Sequence, residues 1–484
     1  MPKITSLKDD ALIAIDNVSD AASSLFSPTL RFGVTGLSRA GKTVFITALV
    51  HNLLHAGRLP LFDAQASGRL AHAELQPQPD DAVPRFRYED HLEALLDQRI
   101  WPQSTSAISQ LRIKLHYESA SGWSRRFGAG ELTLDIIDYP GEWLLDLPLL
   151  GKDYAQWSRE ALALSRLPNR AALAEQLHAQ LKGLDPAAEA DEADARRLAA
   201  TFTDYLRACR SDDTALSTLP PGRFLMPGDL KGSPALTFAP LDLTETAEAP
   251  SGSLHAMMER RYESYKSVVV KPFFRDHFAR IDRQIVLVDA LQAINAGGAA
   301  VADLENALGD ILECFNHGKR SWLTSLFSTR TDRILFAATK ADHLHHENHA
   351  RLEAILARLV DRAASKAQFS GARTEAVAMA AIRATKEAEI EQDGDVLPVI
   401  LGVPMKGETI AGSRFDGKTE TAVFPGDLPD KATDVFNADR EAGDLQFVRF
   451  RPPKLQKTAE GVSLSLPHIR LDRALEFLVG DYLQ

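Results

Sequence analysis

The chain has 484 residues, 45% hydrophobic and 25% charged, enough for two or three domains around a large core. Its 55 Lys and Arg against 66 Asp and Glu leave a net charge of -11, which argues against a general nucleic-acid binder, because such a surface concentrates positive charge, but not against a local basic surface. Two cysteines, Cys209 and Cys314, stand in no metal-ligand spacing, and no segment approaches the roughly 20 apolar residues of a bilayer span. The start of the chain lacks a secretory signal pattern, so the expected location is cytoplasmic, with peripheral docking at an inner membrane left open.

In chain order, Leu7, Ala11, Ile15, Val18, Ala22 and Leu25 recur at helical spacing and predict an amphipathic helix within residues 1–29, ended by Pro28. The apolar run Leu30 to Thr35 predicts a strand, and about Lys42 to His55 a helix. Ala64 to Pro84, rich in Pro, Gln and Asp, reads as a loop, and His91 to Ile100 as a helix. Gln110 to Tyr117 and Glu131 to Ile137 read as two strands joined by a glycine-bearing turn.

Residues 146–280 carry Ala-, Leu-, Arg- and Glu-rich helical stretches, including Ala171 to Leu181 and Glu192 to Arg210, and predict a helical insertion. Strand character returns at Gln284 to Val288 and Arg333 to Ala338, then at Val377 to Ile382 and Leu397 to Val403. Helices are expected between them at Asp303 to Asn316 and His346 to Lys366. That alternation predicts an α/β fold with a doubly wound, mostly parallel sheet. The expected division is a first half of the nucleotide domain at 30–145, the insertion, and a second half at 281–404. A small insertion at 405–460 and a closing C-terminal helix within 461–484 complete it.

Gly36-Leu37-Ser38-Arg39-Ala40-Gly41-Lys42-Thr43 fits the phosphate-loop pattern G-x-x-x-x-G-K-[ST] without a mismatch, between an apolar strand and a helix. Backbone N–H groups of Ser38 to Val44 would surround phosphate oxygens. Lys42 would reach the β- and γ-phosphates, and the Thr43 hydroxyl would ligate Mg²⁺. Such a loop needs an acidic residue on a neighbouring strand for the metal, and Asp138-Tyr139-Pro140-Gly141 supplies it. Asp138 would hold Mg²⁺ through water, and the Gly141 N–H would meet the γ-phosphate. A further metal ligand is expected between these motifs; Thr105 is the choice, with Ser104 and Ser106 as rivals.

Thr339-Lys340-Ala341-Asp342 follows another apolar strand and fits the [N/T]-K-x-D pattern that reads guanine, with Thr in place of the more usual Asn. The Asp342 carboxylate can accept the guanine N1–H and 2-amino hydrogens. Adenine offers neither, and a buried acceptor left unpaired rejects it by on the order of 10⁴. The bland alternative is that Asp342 merely caps a helix, which would leave an ATPase. Ala380-Ala381-Ile382-Arg383 suits the last base-contacting loop, with the Ala381 and Ile382 backbone toward the base oxygen.

Two residues bear on hydrolysis. Glu142 follows Gly141 where Ras-like GTPases place a Gln, and a carboxylate there predicts slow turnover. Arg39 stands in the phosphate loop where potassium-activated GTPases carry an Asn, which suggests an arginine finger in cis; the alternative is an arginine that points to solvent or binds an acidic partner.

With these motifs in place the chain resembles the YcjX family of bacterial Ras-like GTPases. The resemblance rests on Val34 to Thr43, Asp138-Tyr139-Pro140-Gly141-Glu142-Trp143, Val286-Leu287-Val288-Asp289-Ala290-Leu291 and Thr339 to Asp342. It implies a Ras-like P-loop NTPase domain binding GTP or GDP with Mg²⁺, large insertions, a link to envelope stress, and an inner-membrane partner of the YcjF type. Two other readings stay open: a nucleotide-gated interaction protein, and a membrane-associated mechanoenzyme touching lipid through Gly318 to Leu323 with Leu326 and Phe327.

Overall fold

The computed structural model describes residues 28–37, 39–103, 107–120, 130–212, 219–243, 249–313, 331–369, 371–392, 395–410, 412–437, 445, 447–454 and 465–484. The expected N-terminal helix, Ser38, the Ser104 to Ser106 stretch and the Gly318 to Phe327 contact loop lie outside the described residues.

Five strands form the parallel heart of a seven-stranded sheet, the central ones fully or nearly fully buried and the one at the sheet edge half-buried. These are β4 (Gly130–Asp138), β1 (Thr29–Gly36), β5 (Arg283–Val288), β6 (Arg333–Ala338) and β7 (Arg373–Ala378), in that spatial order. β3 (Ser109–Tyr117) pairs antiparallel with β4, and β2 (Leu70–Gln76) extends that edge. β2 occupies the stretch expected to be a loop. Its mixed apolar and polar side chains, none of them buried, are those of an edge strand, which hides it from an apolar-run reading.

Each sheet face has its own core. Leu30, Phe32, Val34, Ile285, Leu287, Leu335 and Ala337 pack under α1 (Lys42–Leu54) and the C-terminal α7 (Leu471–Val479). Val286, Val288, Ile334 and Phe336 pack under α5 (Gly298–Glu313) and α6 (His349–Phe369). The same core continues into α2 (Tyr154–Ser165), α3 (Glu192–Ser211) and α4 (Leu254–Tyr265). The fold is thus the doubly wound α/β arrangement with a large helical component. The stretch expected to be helical from Ala171 to Leu181 is broken at 172–174, between a short helix ending at Ala171 and a second one from Glu175 to Lys182.

Two strand expectations need correction. β7 stops at Ala378, so Met379 to Ile382 is the loop leaving the sheet. Leu397 to Val403 lies in β9 (Asp395–Gly402), which pairs antiparallel with β8 (Lys386–Gln392) and β10 (Thr421–Val423) in a separate three-stranded sheet. An apolar run specifies burial but not the partner strand, and β9 buries Val399 and Ile400 without joining the main sheet.

Candidate nucleotide-binding site

The loop between β1 and α1 takes its shape from two left-handed residues, Arg39 at φ 64° and Gly41 at φ 84°. Its first glycine is demanded by packing, since a Cβ on Gly36 would lie 2.4 Å from the Leu287 carbonyl oxygen of β5. The N-cap of α1 is Gly41, which has no side chain to cap the first turn, so the positive end of the helix faces the loop. The Lys42 ammonium donates to the Gly36 carbonyl at 2.8 Å and closes the loop on itself. Burial lowers its pKa, against the raising effect of Asp138 and Glu142; Arg210 acts in the same direction as burial. Thr43, 7% exposed, follows in the first turn.

Asp138 ends β4 beside Val34 of β1 and is buried. Gly141 presses on the phosphate loop so closely that a Cβ would fall 1.8 Å from the Gly36 oxygen. The two sequence motifs therefore meet at their glycines. Beyond Gly141 the chain winds as a 3₁₀ segment to Gly151 that is stitched into the helical part. Glu142, 3% exposed, faces Arg210 of α3 at 3.0 Å. Asp146 accepts from the Gly222 N–H at 2.8 Å, the Arg223 N–H at 3.2 Å and the Tyr265 hydroxyl at 2.6 Å. Burial pushes its pKa up to about 6, these bonds opposing. The Arg223 guanidinium lies over the Trp143 ring, 3.2 Å from its centre.

At the other end, β6 delivers Thr339, whose N–H donates to the Val288 carbonyl at 2.9 Å. Lys340, at φ 62°, pairs with Asp289. Asp342, 4% exposed, accepts the Ala384 N–H at 2.8 Å, and its carbonyl accepts the Thr385 hydroxyl. That carboxylate thus bonds across to the loop after β7 rather than to the turn of its own segment, which no side chain caps. The Ala341 N–H donates to the Met379 carbonyl, so the two loops are laced together.

One cavity of about 370 Å³ joins the two ends. Arg39, Ala40, Gly41, Lys42, Thr43, Val44 and Glu142 line one part of it. Thr339, Lys340, Asp342, Ala381 and Ile382 line another. Gly36, Asp138 and Gly141 are not among its lining residues; Gly36 is held by Gly141, and Asp138 acts on Lys42 through its charge. Sequence reading did not pick out Trp101, His343, Met405 or Phe450 as lining residues, nor Arg210 as the partner of Glu142. Trp101, whose indole N–H donates to the Phe450 carbonyl at 2.6 Å, stands just before the predicted switch stretch, the one local signal for any of them.

A mostly parallel buried sheet, a glycine-shaped loop at its carboxyl edge and a helix behind that loop define a fold of the Ras-like P-loop class. The chain belongs to the YcjX-like family, DUF463, whose model matches residues 30–483. It is 40% identical over 466 residues to a protein of Escherichia coli K12 described as Ras-like GTPase YcjX, covering 94% of this chain and 96% of that one. A Shewanella oneidensis protein of the same description is 35% identical over 496 residues, covering 98% of this chain and 99% of its own. Among the described residues no helix is long and apolar enough to cross a membrane.

Proposed function

We propose that this protein binds GTP and GDP in the 370 Å³ cavity, hydrolyses GTP slowly to GDP and phosphate, and works as a nucleotide-dependent switch. The observation that carries the reading is the cavity itself, lined at once by the phosphate loop and by Asp342, Ala381 and Ile382. The description of both relatives as Ras-like GTPases supports it. The Lys42 ammonium, strained by burial, would exchange the Gly36 carbonyl for phosphate oxygens, and the Asp342 carboxylate would take the two guanine hydrogens that adenine lacks.

Thr43 and Asp138 are hard oxygen donors, each less than a tenth exposed, and fit a Mg²⁺ ion; Mg²⁺ bound with the triphosphate would neutralise charge developing on it. Arg39, exposed on the cavity rim, would act as the arginine finger in cis. Glu142 would orient the attacking water poorly while its carboxylate stays paired with Arg210. An arriving γ-phosphate repels Glu142 and attracts Arg210, so this pair is where the helical part would read the nucleotide.

Calorimetry with GTP, GDP and ATP in Mg²⁺, on the wild type and Asp342→Ala, tests the reading. Guanine-only binding that the variant loses is the expected result. ATP binding equal to GTP binding would overturn it.

A further inference from the structure

The segment that follows Asp342 reads His343-Leu344-His345-His346-Glu347-Asn348-His349. Two of its histidines are committed: the His343 ring meets the Phe450 ring edge-on at 5.6 Å, and His349 Nε2 lies 2.8 Å from the Ala341 carbonyl. His345 and His346 turn elsewhere. Together with Glu387 of β8 they place one ligand atom each within 4.8 Å of one another.

Three details distinguish this trio from a chance surface cluster. His345 is 5% exposed, and its Nδ1 is buried without a hydrogen bond, the Glu347 carboxylate standing 3.6 Å away. Such a nitrogen is costly to leave unsatisfied, and a metal bond at Nδ1 would satisfy it. His346 Nδ1 is hydrogen-bonded to one Glu387 oxygen at 2.7 Å, which holds the two groups side by side; an ion between them would replace that bond and set the two donors roughly 3.3 Å apart. The other Glu387 oxygen accepts from the Arg383 guanidinium at 3.1 Å, which orients the carboxylate as outer partners of metal ligands do.

A second histidine cluster, His72, Glu74 and His116 on β2 and β3, lacks these details. Its imidazoles stack face to face at 4.2 Å and 11°, His72 and Glu74 are exposed, and neither imidazole holds a buried nitrogen without a hydrogen bond.

We infer that His345, His346 and Glu387 bind a transition-metal ion of the Zn²⁺ class, with water as fourth ligand. Two imidazoles and one carboxylate are the donor set that ion takes in open tetrahedral sites. The consequence, which rests on the guanine-binding reading, follows from position. His345 is anchored just past Asp342, and Glu387 just past Ala384 and Thr385, which bond Asp342 from the other loop. A bound ion would clamp the two base-reading loops and lower the cost of ordering them, so GDP should bind more tightly with Zn²⁺ than without.

The test is a Zn²⁺ titration of the full, nucleotide-free chain by calorimetry, for wild type, His346→Ala, Glu387→Gln and the control His72→Ala. His346 is largely exposed, so its loss leaves the fold intact. One Zn²⁺ per chain is expected in the wild type and His72→Ala. Affinity should fall at least roughly 100-fold in the other two, the upper end of what losing only an outer partner costs. Zn²⁺ bound equally by all four chains, or by none, overturns the site. Zn²⁺ held through these residues with GDP affinity unchanged overturns the clamp. A chain that binds no guanine nucleotide fails the proposed function while the Zn²⁺ titration still decides the site.

Discussion

Arg210 and Glu142 face each other at 3.0 Å across the seam between α3 and the loop that leaves Gly141. The glutamate is almost fully buried and the arginine a quarter exposed, so the pair is neither a solvated surface contact nor a sealed one. Breaking a fully buried pair costs 3–5 kcal/mol because the survivor is stranded. Arg210→Ala should therefore destabilise by about 2–3 kcal/mol, discounted for the exposed side of the arginine. Adding Glu142→Gln to Arg210→Ala should restore most of that loss, since no carboxylate is then left unpaired. Urea denaturation of the two single variants and the double variant checks this. Additive losses would mean that the two side chains do not act as a pair.

The same seam carries a pH dependence. Asp146 has its pKa raised from the ordinary 3.8 to about 6 by burial. The folded protein therefore holds this proton where the unfolded chain has released it, and stability falls as pH rises from about 4 to about 6. Between pH 5 and pH 7.5 the group should subtract about 1.4 kcal/mol, at 1.36 kcal/mol per pKa unit. Asp146→Asn keeps an acceptor for Gly222 and cannot ionise, so its stability relative to wild type should improve by that amount across the window. Urea midpoints at the two pH values decide it. A constant difference between the two proteins would show that Asp146 does not titrate there.

The parts of this site that were legible in the sequence are those whose chemistry is contiguous. Gly36 to Thr43 and Thr339 to Asp342 are runs of neighbours whose residue types are fixed by backbone shape and hydrogen bonding, and β1, β5 and β6 announce themselves as buried apolar runs. Arg210 gave no such signal, because it is one arginine among many on an amphipathic helix and gains meaning only where α3 packs on Glu142. Phe450 and Met405 reach the cavity from a turn-rich region without a period, and β2 hides because an edge strand needs no apolar run. Glu142 was legible as a departure from Gln, but its burial against the helical part was not.

Arg39 offers a kinetic test. If its guanidinium meets the phosphate during turnover, Arg39→Ala should lower the single-turnover rate by about 10³ or more, the range of a supplied arginine finger. The wild-type rate should also be the same in sodium and potassium buffers, because the cation's place is taken. Binding of GDP, which lacks the γ-phosphate, should change little. An unchanged hydrolysis rate in Arg39→Ala would remove the residue from the mechanism.

The contact between the two motif glycines makes the last prediction. With no Cβ at Gly141, the loop after β4 lies directly on the Gly36 carbonyl; an added methyl would overlap that oxygen at 1.8 Å. Neither partner is a flexible side-chain end, so Gly141→Ala must push one backbone off the other. The Gly36 carbonyl also receives Lys42, which ties the displaced group to the phosphate site. Overpacking of this kind costs about 1–3 kcal/mol, so the variant should still fold. Its nucleotide affinities should change unequally. If the Gly141 N–H meets a γ-phosphate, as its D-x-x-G motif suggests, GTP should lose at least tenfold while GDP loses much less. Calorimetry with GDP and a non-hydrolysable GTP analogue measures the ratio directly. Equal losses for both would mean that the Gly141 contact shapes the phosphate loop as a whole and does not sense the third phosphate.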